Sequence, residues 1–119
     1  MEPPGKNLLV GIVGPCGSGK SALTEGLVKS GYACRHIAQE HSYVPDMWQV
    51  MTNPSVLIYL NASFPICTDR TNLNWQEKDY NEQLRRLSHA RAHANIIIET
   101  DELTLDQVLQ KALDYLKRL

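Results

Sequence analysis

An apolar run at positions 8–13 ends abruptly in Gly14-Pro15-Cys16-Gly17-Ser18-Gly19-Lys20-Ser21, and a helix-forming pattern begins at once beyond it. This junction constrains the fold more than any other stretch. The run is too short for a helix and is bounded by Gly-Pro, so it reads as a strand buried on both faces and therefore central in its sheet. From Lys20, Leu23, Leu27 and Val28 form a helical stripe that ends at Ser30-Gly31, with Gly31 a natural left-handed cap. A buried strand that enters a helix through a glycine turn is half of a parallel crossover unit.

The remaining pattern repeats that unit. Residues 32–38 make a less apolar strand, nearer an edge, and Pro45-Asp46 opens a short helix at Met47–Met51 that Thr52-Asn53-Pro54 closes. Residues 56–60 are a second buried strand. Ser63 is a candidate N-cap, its hydroxyl accepting from first-turn N–H groups, for a helix that ends near Arg70. Residues 71–76 read as a loop, and Glu77–His93 as a helix with Tyr80, Leu84, Leu87 and Ala94 along one side. Residues 95–99 are a further strand. Thr104 and Gln107 form a capping box for a terminal helix striped by Leu105, Val108, Leu109, Ala112, Leu116 and Leu119. The expected fold is α/β: a three-layer sandwich with a mainly parallel sheet of about four strands, helices on both faces and the glycine loop after the first strand.

With 119 residues, 43% of them hydrophobic, the chain suffices for one domain, 1–119, and not for two. A net charge of -1 supplies no basic footprint for nucleic acid, so any phosphate recognition is local. Cys16, Cys34 and Cys67 are odd in number and contain no CxxC pair, which fits a reducing cytoplasm better than a disulfide framework. The first six residues lack a secretion leader, and no apolar segment approaches membrane-spanning length, so no membrane partner is expected.

The residues from Gly14 to Ser21 match GxxxxGK[ST], the P-loop, in the context that motif requires. Glycines allow successive N–H groups to turn inward as a nest for phosphate oxygens, and the following helix adds its positive end. Gly14, Pro15, Cys16, Gly17, Ser18, Gly19, Lys20, Ser21 and Ala22 are the candidate nucleotide-binding residues. Lys20 would reach the terminal phosphates, and the Ser21 hydroxyl would take one place on Mg²⁺. Cys16 reads as a small filler residue.

The sequence resembles the P-loop NTPase superfamily, and within it the small-molecule kinases of the shikimate and nucleoside monophosphate kinase type. The glycine motif and the run from VLIYLNAS to the terminal helix carry the likeness. It implies ATP and Mg²⁺ as cofactors, a lid-type arginine near Arg70, and a base-contacting loop at Glu99-Thr100-Asp101-Glu102, although these four residues read more simply as caps of the terminal helix. One departure is clear: the 15 residues from Gln39 to Asn53 cannot hold the strand and acceptor region such kinases carry there.

An acidic residue near the metal is also expected. The strand at 56–60 ends in neutral Asn61, so Glu40 is the candidate, orienting a metal-bound water or acting as base with His41 or Asp46 assisting. Lys20, Glu40 and Arg70 are thus the catalytic candidates, and Ser21 and Glu40 the metal candidates. On the long helix, Lys78, Arg85, His89 and His93 make a solvated face. Arg91 falls in line with Leu84 and Leu87 and should have an anionic partner, from a structural ion pair or a phosphate. No Asn-Lys-x-Asp occurs to read guanine. Two functions fit: an ATP-dependent phosphotransferase or ATPase, and a non-catalytic nucleotide-binding module. The phosphoryl acceptor stays open, and a small sheet with bare edges makes a homodimer an option.

Overall fold

The computed structural model describes residues 8–119; the leader-free reading of the first six residues lies outside them. Four parallel strands, β1 (Leu9–Val13), β2 (Ala33–His36), β3 (Val56–Asn61) and β4 (Ile96–Glu99), lie in the order β2-β1-β3-β4. Val10 pairs with Cys34 on one side and with Val56 on the other, and Ile58 pairs with Ile96, so β1 and β3 are the interior strands. Their side chains are buried on both faces, whereas β2 at the edge is largely exposed and shorter than expected.

The helices are α1 (Lys20–Lys29), α2 (Met47–Met51), α3 (Phe64–Thr71), α4 (Glu77–His93) and α5 (Leu105–Lys117), with one turn of 3₁₀ helix at Gln39–His41. Alternation along the strands sorts the core into two sets. Val10, Ile12, Ile58 and Leu60 meet Leu23 and Leu27 of α1 and Val108, Ala112 and Leu116 of α5. Val13, Leu57 and Tyr59 meet Trp48, Leu87 and Ala90. This is the period-2 separation that a sheet covered by helices requires. A smaller cluster of Cys67, Tyr80, Phe64 and Trp75 fastens α3 and the loop after it to α4; the Trp75 indole donates to Thr68 Oγ1 at 2.7 Å.

Several local expectations are corrected. Val28 and Leu105 leave the apolar stripes and are 52% and 64% exposed, because each is rotated off the narrow face that meets the sheet, and Leu119, 56% exposed, lies past the end of α5 at Lys117. Ser63 sits at the N-cap of α3, but its hydroxyl accepts no cap bond; the Asp101 carboxylate instead accepts from the Ser63 N–H at 2.9 Å. The Thr104 and Gln107 capping box forms with both reciprocal bonds. Among the described residues no helix is long and apolar enough to cross a membrane.

The chain leaves β1 for β2 on one side and later returns to β3 on the other. The strand order therefore reverses between β1 and β3, and in such sheets the crevice beyond the carboxyl ends at that reversal is where ligands collect. Residues 14–21 follow β1 at this point.

Candidate functional site

Between β1 and α1 the backbone takes positive φ at Gly17 (86°) and Gly19 (102°), conformations open to glycine. The Cys16 N–H donates to the Gln83 side chain at 3.0 Å and the Ser18 N–H to the Pro15 carbonyl at 3.1 Å. Among the described residues, no acceptor meets the N–H groups of Gly17, Gly19, Lys20, Ser21 or Ala22. Free donors are usual in the first turn of any helix; the glycine turn brings one more from before the helix begins.

Lys20 is buried although it opens a helix, with only 8% of its surface exposed. Its ammonium donates to the carbonyls of Gly14 at 2.7 Å and Pro15 at 3.1 Å and pairs with Glu40 Oε2 at 2.8 Å. Glu40 is held in place by its neighbour. Gln39, wholly buried, accepts from the Trp48 N–H at 2.8 Å and donates to the carbonyls of Val44 at 2.8 Å and Arg86 at 3.2 Å. Those three bonds fasten the 3₁₀ turn to α2 and α4. The other carboxylate oxygen of Glu40, and the Ser18 hydroxyl, are buried without a partner.

Arg70, exposed at the end of α3, donates to the Thr100 hydroxyl at 3.0 Å and the Thr100 carbonyl at 2.9 Å, with longer contacts to the carbonyls of Gly17 and Ser18. It thereby ties the glycine turn to the end of β4. Beside it opens a cleft of about 580 Å³, lined by Gly17, Lys20, Ser21 and Ala22 on one wall and by Arg70, Thr71 and residues 103–105 on the other. A cavity of this size suits a small organic ligand.

The candidates thus fall into two groups. Lys20, Ser21, Ala22, Gly17, Gly19 and Arg70 share the cleft, while Glu40 contacts Lys20 but does not line it. Asp46 precedes α2 and makes no cap bond with its side chain. His41 Nε2 approaches Glu40 Oε2 at 3.8 Å and Cys16 Sγ at 3.4 Å. Asn61 donates to Glu99 at 2.6 Å. The segment Glu99-Thr100-Asp101-Glu102 does not cap α5: Thr100 is buried between Arg70 and the Asn61 carbonyl, and Asp101 serves α3. Its cleft-facing continuation is Leu103, Thr104 and Leu105; sequence reasoning assigned Thr104 to capping and Leu105 to the terminal helix, and gave Leu103 no role.

The basic residues of α4 are likewise rearranged. Arg91 is exposed and has no carboxylate among the described residues; its guanidinium lies 5.8 Å from the centre of the Tyr59 ring. Burial pushes the Tyr59 hydroxyl up to about 12, and the Arg91 charge offsets part of that rise. His89 leaves the solvated face to accept from the Trp48 indole at 3.0 Å. Arg85 and Arg86 both bind Glu82, which cancels the basic stripe they would otherwise form.

Burial distinguishes the three thiols. It pushes Cys34 and Cys67 from an ordinary 9.0 up to about 11, which lowers their thiolate fraction about 100-fold near neutral pH. Cys16 is half-exposed in the loop. Brief treatment of the folded chain with iodoacetamide should therefore label Cys16 first, with Cys34 and Cys67 following only after denaturation. Peptide mass mapping checks the order, and early labelling of Cys67 would contradict it.

Comparison with protein-family models and with curated proteins gives no match to this chain.

Proposed function

We propose that this chain is a P-loop domain of three-layer α/β build and reduced kinase-like form. It binds ATP with Mg²⁺ through residues 14–22 and acts as a phosphotransferase or ATPase. The supporting observation is the buried Lys20 ammonium at the base of a glycine turn where the amides of Gly17, Gly19, Lys20, Ser21 and Ala22 meet no acceptor among the described residues, beside a cleft that also takes in Arg70. An anion entering there gains the free N–H groups, the end of the α1 dipole and a lysine already desolvated. Lys20 would exchange its two carbonyl acceptors for terminal phosphate oxygens, and Arg70, now on Thr100, would approach the same charge. Leu103 and Leu105 offer apolar surface for a base.

Mg²⁺ would take the exposed Ser21 hydroxyl and, when bound, neutralises phosphate charge. Glu40 suits a metal-bound water only after releasing Lys20. A second reading follows from that pairing: with Glu40 committed to Lys20 and Asn61 to Glu99, no free carboxylate borders the cleft among the described residues, as suits a non-catalytic nucleotide-binding module.

Calorimetric titration with Mg-ATP should give a binding heat for the wild type that Lys20→Ala loses; equal heats from both would end the proposal. Release of ADP, abolished by both Lys20→Ala and Glu40→Gln, would select the enzyme, whereas binding without ADP release would select the module.

A further inference from the structure

Beside Lys20, three side chains of different chemistry converge. Cys16 Sγ lies 3.4 Å from His41 Nε2 and 3.9 Å from Glu40 Oε2, and His41 Nε2 lies 3.8 Å from the same oxygen. All three donor atoms fall within 4.8 Å of one another. In a tetrahedral zinc site, bonds of about 2.3 Å to sulfur and about 2.0–2.2 Å to nitrogen and oxygen separate neighbouring donor atoms by about 3.4–3.6 Å. The three observed separations therefore require adjustments of only a few tenths of an ångström.

We propose that Cys16, Glu40 and His41 form a binding site for a divalent transition metal of the zinc class, which shares only Glu40 with the Mg²⁺ candidates considered above. A sulfur and an imidazole nitrogen are poor ligands for Mg²⁺ and good ones for zinc-class ions. Two further observations support it. Glu40 is 96% buried and its Oε1 has no partner, so the carboxylate has a spare oxygen for Lys20 when Oε2, the oxygen nearest Cys16 and His41, goes to a metal. Gln83 donates to Cys16 Sγ at 3.3 Å while accepting from the Cys16 N–H, which holds the sulfur toward His41.

On binding, the thiol proton passes to solvent and a metal–sulfur bond forms. Glu40 gives Oε2 to the metal and its free Oε1 to Lys20, which also keeps the Gly14 and Pro15 carbonyls. Three protein ligands leave a fourth position for water or another oxygen donor. The His41 side chain is 59% exposed, so the metal has a route from solvent. The site stands whether or not the glycine turn binds nucleotide.

Cobalt(II) is the probe, added to the full chain without nucleotide. The expected result is one cobalt per chain, seen as a thiolate-to-cobalt charge-transfer band with the visible bands of tetrahedral cobalt, both bleached by Zn²⁺. Cys16→Ser should abolish the charge-transfer band, and His41→Ala should weaken binding roughly 100-fold or more, at or above the effect of losing a supporting partner. Cys34→Ser should leave the spectrum unchanged. A folded wild type that gives no charge-transfer band overturns the proposal, as does a band that survives Cys16→Ser. Should Cys16→Ser fail to fold, His41→Ala decides: undiminished cobalt affinity in that exposed-residue variant also overturns it.

Discussion

Glu40→Ala should lower the stability of the chain by about 3–5 kcal/mol, the usual cost of removing one partner from a buried ion pair. The two side chains are only 8% and 5% exposed, so the deletion leaves the Lys20 ammonium desolvated with two carbonyl dipoles as its whole compensation. The loss does not measure the worth of the pair, because taking both charges out of water was itself expensive. Adding Lys20→Met to Glu40→Ala should therefore restore much of the lost stability, which separates charge burial from packing. Urea unfolding of the two single variants and the double variant supplies the comparison. A single-variant loss below about 1 kcal/mol would mean that water reaches the pair, since exposed pairs contribute no more than that.

Gly17→Ala should be the more damaging of two superficially equal loop substitutions. Positive φ at a residue with a Cβ costs about 1–2 kcal/mol, and this applies to Gly17 and Gly19 alike. At Gly17 the new methyl would also lie 2.5 Å from the Cys67 carbonyl oxygen and 2.9 Å from the Cys67 Cα, backbone atoms inside α3. At Gly19 it would meet nothing within 4 Å. Gly19→Ala should thus cost only the conformational term, and Gly17→Ala roughly 3 kcal/mol or more, the overpacking penalty included. The same urea series tests this, and equal losses at the two positions would show that α3 yields to the added methyl. Because Arg70 rides on α3, Gly17→Ala should also disturb the cleft.

Most of the architecture was legible in the chain because its signals are local. The apolar run before Gly14 defines β1, the triple isoleucine β4, and Thr104 with Gln107 fixes the start of α5. Glu40 could be singled out by elimination, since β3 ends in an amide and the next carboxylate at the ligand edge follows β2. What pattern could not reveal were contacts made across the fold. Nothing in the spacing of Cys16, Glu40 and His41 says that a short crossover will return the 3₁₀ turn to the glycine turn. Arg91 was misread for the same reason: helical phase put it beside Leu84 and Leu87, but it is exposed and its guanidinium lies over the Tyr59 ring. Thr100 looked like part of a capping segment, yet it receives Arg70 from a helix 30 residues earlier.

The Trp48 indole, 5% exposed, donates to His89, and the Trp48 backbone donates to the residue preceding Glu40. The molecule therefore carries its own optical gauge. Any event that draws Glu40 off Lys20 should alter the emission of an intrinsic fluorophore anchored one peptide unit away, with no label attached. Trp75, packed against Phe64 and Tyr80 on another part of the surface, provides a second signal against which that change can be read.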